Sequence, residues 1–183
     1  ASDAKPDEIM RAALCVGLGQ AQEQTGEPGY RETLLDAARR ADALGAADLV
    51  VRAALANSRG FASRSGAVDH ERIEVLERAI DVALDDRDRA MLLATLAAEV
   101  TFTGREPTVR AARDAVTVAR RTGDDATLAQ VVARIERAIA SPDTVSEREV
   151  LVRDAEAAAI RTRDPVLIWG VASCALHPAL ERG

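Results

Sequence analysis

The sequence predicts an all-α fold of about nine helices arranged as repeated hairpins. Three observations predict it. Aromatic residues make up only 2% of the 183-residue chain while apolar residues make up 48%. A core built from Ala, Leu and Val suits closely packed helices better than a β-sandwich, where aromatic and β-branched residues are enriched. Apolar residues recur with helical periodicity, and no stretch alternates convincingly as a strand. Gly, Pro and Asp punctuate these segments at short intervals, as helix stops and caps do.

The first helix spans about residues 8–24, with Ile9, Ala13, Val16 and Ala21 among its apolar positions. Thr25-Gly26-Glu27-Pro28-Gly29 stops it, because Gly suits the position just past a helix and Pro cannot continue one. The second runs from Tyr30 to Leu44 and ends at Gly45, and the third covers Ala47–Ser58. The segment Arg59–Ala67 (RGFASRSGA) is the longest irregular stretch. Asp69 is placed to cap a fourth helix over His70–Leu84. Asp85 and Asp86 lead into a fifth over Arg87–Thr101, and Thr103–Pro107 separates it from a sixth over Thr108–Thr122. Gly123-Asp124-Asp125 turns the chain into a seventh, Ala126–Ala140. Ser146 and Glu149 have the spacing of a capping box for the eighth. Asp164-Pro165 opens the ninth, with Pro in the first turn.

These helices repeat. One helix of each pair carries a large residue followed by a small one: Leu18-Gly19, Leu55-Ala56, Leu96-Ala97 and, more weakly, Val171-Ala172. Ile135-Glu136 keeps the large residue and loses the small one. The next helix carries a second signature at i, i+4 and i+7: Leu34/Ala38/Ala41, Leu76/Ile80/Ala83, Ala112/Val116/Ala119 and Leu151/Ala155/Ala158. Those offsets place three residues on one helical face, and small residues let a partner approach closely. The steps Leu18–Leu34, Leu96–Ala112 and Ile135–Leu151 are each 16 positions, whereas Leu55–Leu76 is 21, the excess falling in Arg59–Ala67. Measured between large residues, the period is 36 to 41. Such a period marks a helix-hairpin solenoid, in which each unit needs its neighbours to bury its apolar face.

The order of large-small pair and then small residues on the next helix is similar to the tetratricopeptide repeat, with its aromatic and proline positions lost. That likeness implies hairpins stacked as a right-handed α-α superhelix with a concave groove. The stretch RETLLDAARRADALGAADLVVRAALA, followed by RGF and GAVD, has a narrower likeness, as do EVLERAIDVAL and ARRTGDDATLAQ. It resembles the helical-repeat region of large actinobacterial ATP-dependent transcriptional regulators of the LuxR type. The likeness covers roughly residues 9–176. It implies a non-catalytic signal-sensing or protein-interaction segment of a longer cytoplasmic protein, with ATPase and DNA-binding modules as neighbours. The alternative is a free-standing helical-repeat adaptor for protein–protein contacts. Residues 1–183 are expected to form one domain, a fragment of a multidomain chain.

By the same likeness the helix with the large-small pair lines the groove, and its candidate binding residues are Gln20, Asn57, Thr95, Thr101, Arg134 and Arg137. Val16, Ala53, Ala94 and Ala133 would leave room there for a protein, a peptide or a small signal ligand. Asn57 falls where such domains often place an amide that holds a peptide backbone. The lysine usually near it is absent, Ala53 standing in its place.

The residues themselves point to no reaction. A net charge of −6 argues against direct nucleic-acid binding, which rests on cationic patches. No apolar run reaches the ~20 residues of a membrane span. The only lysine, Lys5, lies in no P-loop, and no cofactor or metal is implied. His70 reads as a first-turn residue beside its cap, and His177 stands apart from it, so a His-based metal site has little support. The acidic runs at 85–88 and 124–125 lack a calcium loop's alternation and read as helix caps. Ser58, Ser63 and Ser65 have no acid–base partner in view. Cys15 and Cys174 read as free thiols, a disulfide being the alternative. Trp169 either packs in the last hairpin or lines the groove.

Overall fold

The computed structural model describes residues 4–58 and 67–182. Among them are nine α-helices and no strand: α1 Ala4–Thr25, α2 Tyr30–Ala43, α3 Ala47–Ala56, α4 His70–Val82, α5 Asp86–Glu99, α6 Arg105–Thr122, α7 Asp125–Ile135, α8 Val145–Thr162 and α9 Pro165–Arg182. Short 3-10 turns follow α5 (Val100–Phe102) and precede α8 (Pro142–Thr144). The segment 59–66, most of the expected insertion with Ser63 and Ser65, lies outside the described residues.

The chain divides into two compact units, Ala1–Asp88 and Arg89–Gly183. In the first, α1 packs on α2 and α3, and α2 packs on α3 and α4. In the second, α7 packs on α6, α8 and α9, and α8 packs on α9. The core of the second unit interleaves Ala90, Ala94 and Ala97 of α5 with Ala112, Ala115 and Ala119 of α6 and Val131 and Ile135 of α7. Alanine faces of this kind let helix axes come close, which is how a chain so poor in rings fills its interior.

The i, i+4, i+7 residues of α2, α4, α6 and α8 are buried, apart from Ile80 and Leu151, which are half-buried. At the first large-small pair the small member is where two helices interlock. A Cβ on Gly19 would lie 2.5 Å from Leu34 Cγ, so α1 and α2 meet there with no room to spare. Ion pairs repeat the register independently. Arg39–Glu71 and Arg78–Asp42 link α2 to α4, and Arg113–Glu147 and Arg120–Asp154 link α6 to α8. Each joins residues 32 to 36 positions apart, about one repeat. Exposed pairs like these contribute little energy, but their spacing shows that equivalent helices of successive hairpins are neighbours.

The caps follow the acidic residues. Asp69 accepts from Arg72 N, Asp85 from Asp88 N, Asp124 from Thr127 N, and Asp164 from Val166 N and Leu167 N. The Ser146–Glu149 capping box is corrected: α8 begins at Val145, so Ser146 lies inside its first turn. Thr144 is the cap position, and its hydroxyl donates to the carbonyls of Ile139 and Ser141. The start of α6 lies at Arg105, ahead of the expected Thr108, with Pro107 inside the helix. That proline sits in the first turn, where its missing N–H has no helical partner to lose. Pro178 does not stop α9, which continues to Arg182.

Two of the second-helix termini end in the left-handed conformation, Gly123 at φ 64° and Arg163 at φ 59°. A side chain at positive φ costs about 1 kcal/mol that glycine avoids. Arg163→Gly is therefore expected to stabilise the protein by about 1 kcal/mol, a rise of roughly 2–4 °C in Tm for a chain this size. Thermal unfolding followed by circular dichroism checks it.

Candidate functional site

Polar side chains of the first helices meet across neighbouring hairpins of the second unit. Thr95 lies on α5 and Arg134 on α7, and Arg134 Nη1 donates to Thr95 Oγ1 at 2.7 Å. The Thr95 hydroxyl in turn donates a hydrogen bond to the Met91 carbonyl at 2.9 Å. Arg134 is half-buried, and burial lowers its pKa from the ordinary arginine value. No carboxylate lies within ion-pair distance of it among the described residues. A guanidinium carries five N–H donors, so this one retains capacity for an acceptor.

One repeat further along, Arg137, Glu136 and His177 form a second cluster with Arg148. Glu136 takes the place occupied by Gly19, Ala56 and Ala97 in the earlier repeats, and its side chain is 1% exposed. Arg148, in the first turn of α8 and 0% exposed, donates from Nη1 to Glu136 Oε1 at 2.8 Å and from Nη2 to Glu181. Burial alone would lower the pKa of Arg148; hydrogen bonds to Glu181 and Glu136 outweigh it and raise the pKa above its ordinary value. The other Glu136 oxygen meets His177 Nδ1 at 2.9 Å, while Arg137 Nη2 lies 3.2 Å from His177 Nε2. A guanidinium only donates, so Nε2 accepts and Nδ1 carries the proton that Glu136 receives. The imidazole lone pair is thereby capped by Arg137. Cys174, nearby on α9, has its thiol pKa raised by burial and then by the charge of Glu136, which favours the thiol over the nucleophilic thiolate.

Of the six expected groove residues, only Arg137 is exposed. Gln20 and Thr101 are half-buried, with Thr101 Oγ1 donating to the Ala97 carbonyl. Asn57 is buried at the end of α3, and both ends of its amide are engaged. Nδ2 donates to the Arg31 carbonyl at 3.2 Å, and Oδ1 accepts from Arg72 Nε at 3.0 Å. Val16, Ala53 and Ala94, expected to leave room in the groove, are instead fully buried in the core. Their small size serves helix approach, and the same residue type would suit either purpose. Trp169 does not pack in the last hairpin; it is 74% exposed. His70 opens α4 beside its cap, and both cysteines are free.

Around the insertion, Asn57 belongs to a bracket joining its two flanks. Arg72 is buried, donates to Asn57 and to the Tyr30 hydroxyl at 3.2 Å, and lies over the Tyr30 ring. Arg31 grips Asp69 with two bonds of 2.7 Å and adds Glu71 at 2.7 Å. The Arg31 hydrogen bonds lead in holding the Asp69 carboxyl at about 2, below its ordinary 3.8, against the opposing effect of burial. A depressed folded pKa adds stability that is complete above about pH 4 and lost as pH falls towards 2. The shift corresponds to about 2 kcal/mol. Asp69→Asn should show a flatter loss of Tm than the wild type between pH 5 and 2, measured by thermal melts across that range.

The residues that only the structure reveals are Arg148 and Glu181, with His177 placed between Glu136 and Arg137. One signal was present in the sequence, a carboxylate at a position that repeat packing reserves for a small side chain. A separate cavity of about 450 Å³ opens between α6 and α8, floored by Val116, Ile135, Ile139 and Leu151 and rimmed by the Arg113–Glu147 pair. Among the described residues, no group of three or more His, Cys, Asp or Glu is arranged to hold a metal, and no helix is long and apolar enough to cross a membrane. The fold and these polar contacts define an all-α protein of packed helix hairpins. No protein-family model, curated protein or solved structure matches the chain.

Proposed function

We propose that this chain is a tetratricopeptide-like repeat segment, non-catalytic and cytoplasmic, of a LuxR-type transcriptional regulator. Its hairpins stack as a right-handed superhelix whose groove receives a protein, a peptide or a small signal ligand. Occupancy is passed to neighbouring ATPase and DNA-binding modules of the parent chain. The observation that supports the binding role is Arg134, a half-buried guanidinium held by Thr95 and lacking an acidic partner. A desolvated cation with spare donors is a natural seat for a carboxylate or another anionic acceptor. The one-repeat spacing of the ion pairs supports the repeat reading.

The flanking reading frame tests the regulator assignment. Coding regions for a P-loop ATPase and a helix-turn-helix are expected beside this segment. A parent gene with no ATPase, cyclase or helix-turn-helix region overturns it and favours the adaptor reading, in which the groove serves protein–protein contact alone.

A further inference from the structure

Arg134 is a cation that the fold half-buries and leaves uncompensated. Thr95 takes one donor of its guanidinium, and among the described residues no carboxylate stands within ion-pair distance. Withdrawing a charge from water is costly unless a counter-charge or a ligand answers it. Three other arginines withdrawn from solvent, Arg31, Arg72 and Arg148, obey that rule, and each meets a carboxylate. Arg134 is the departure.

The helix beyond it offers room. The bond from Arg134 back to Thr95 spans 39 positions, and the same step forward reaches Ser173 of α9. Cys174 Sγ donates to the Ala133 carbonyl at 3.9 Å and His177 meets Arg137, so one face of α9 is turned to α7. Gly170, Ser173 and His177 fall on that face at i, i+3 and i+7. Ser173 is short, and its hydroxyl is turned to the Gly170 carbonyl of its own helix at 2.7 Å. A Cβ on Gly170 would meet no heavy atom within 4 Å. On its α9 side Arg134 therefore has small residues and open space where a counter-ion would otherwise stand.

We propose that this seat holds a single carboxylate, carried by a small organic acid or by an Asp or Glu side chain of a bound peptide. The assignment rests on the binding role proposed for Arg134 above and narrows its ligand to one charge and one shape. A planar guanidinium fork matches a carboxylate's two oxygens. Arg137, one turn further along α7, is engaged with His177, and Glu136 with Arg148 and His177. The seat therefore balances one negative charge, and a dianion such as sulfate would be left half compensated.

Proton–nitrogen NMR spectra of the arginine Nε–H groups in the 183-residue chain test this. The Arg134 signal is assigned by its loss in Arg134→Lys, which keeps the charge. Titration with propionate should move that signal saturably, with a dissociation constant on the order of millimolar. Chloride and sulfate at matched ionic strength should not. A blocked tripeptide with a central glutamate should also bind, and its glutamine counterpart should not. Tighter binding of the glutamate peptide than of propionate marks a peptide as the source, and weaker binding marks a free acid. Arg134→Gln should weaken propionate binding at least about tenfold, read from the backbone amides of α7 and α9. Its Tm should equal or exceed the wild type's, because the lost charge had no partner. No saturable response to propionate overturns the proposal. So does an equal response to sulfate, or propionate binding that survives in Arg134→Gln. A parent gene without ATPase or helix-turn-helix regions would overturn the regulator reading and leave this seat standing. Failure of propionate to bind would remove the seat and leave that reading to its own test.

Discussion

Replacing Glu136 with alanine is expected to lower the stability of the second unit by about 3–5 kcal/mol, although alanine is the residue that two earlier repeats carry at that position. The reason is Arg148. Its side chain has no exposure, and Glu136 is the buried half of its charge compensation. Glu181, the other half, is about one-third exposed and lies near the end of α9. Removing Glu136 leaves a buried guanidinium under-compensated and strips His177 Nδ1 of its acceptor. A drop in Tm on the order of 10 °C follows from that energy for a protein of this size. The double variant Glu136→Ala/Arg148→Met replaces both charges with apolar groups and should lie within about 1 kcal/mol of wild type, since a buried pair often does no better than its hydrophobic replacement. Denaturant titration of the two variants decides the matter. Equal losses in both would show that the network contributes through geometry other than charge pairing.

The second large effect lies where α1 meets α2. Leu34 is fully buried, and Leu34→Ala should cost about 2–5 kcal/mol through lost burial and the cavity left behind. Gly19→Ala alone should also destabilise, by about 1–3 kcal/mol, because the new Cβ collides with Leu34 and the core leaves that side chain nowhere to go. Helix propensity pulls the other way, by about 1 kcal/mol in favour of alanine. With Leu34→Ala in place the collision is gone, so Gly19→Ala should become neutral or stabilising by up to about 1 kcal/mol. A double-mutant cycle measures that reversal of sign. Additive losses would mean that the two helices do not interlock at this point.

The repeat made much of the fold legible in advance. Leu34/Ala38/Ala41 and its counterparts fall on core faces because a helical period of 3.6 residues puts i, i+4 and i+7 on one side, whatever the neighbours are. Asp69, Asp85, Asp124 and Asp164 could be read as caps because the need they meet, free N–H groups at a helix start, is local. The candidate site was less legible. Thr95 and Arg134 lie 39 positions apart, and their bond depends on α5 and α7 lying side by side, which neither residue's sequence neighbours show. Asn57 looked available for a ligand because its sequence neighbours do not show Arg31 and Arg72, 26 and 15 positions away, which occupy its amide.

The sequence by itself determined helix class, helix order, repeat period and most caps, since each depends on residues within a turn or two of one another. It also marked Glu136 as a departure from the repeat without saying what answers it. Tertiary structure alone decided that Arg148 and His177 do, that Val16, Ala53 and Ala94 belong to the core and not to a groove, and that Trp169 faces outward on α9. The physical reason is common to all three. Small and apolar residues on a helix state only that something must pack there, and burial depends on whether a second helix arrives to cover them.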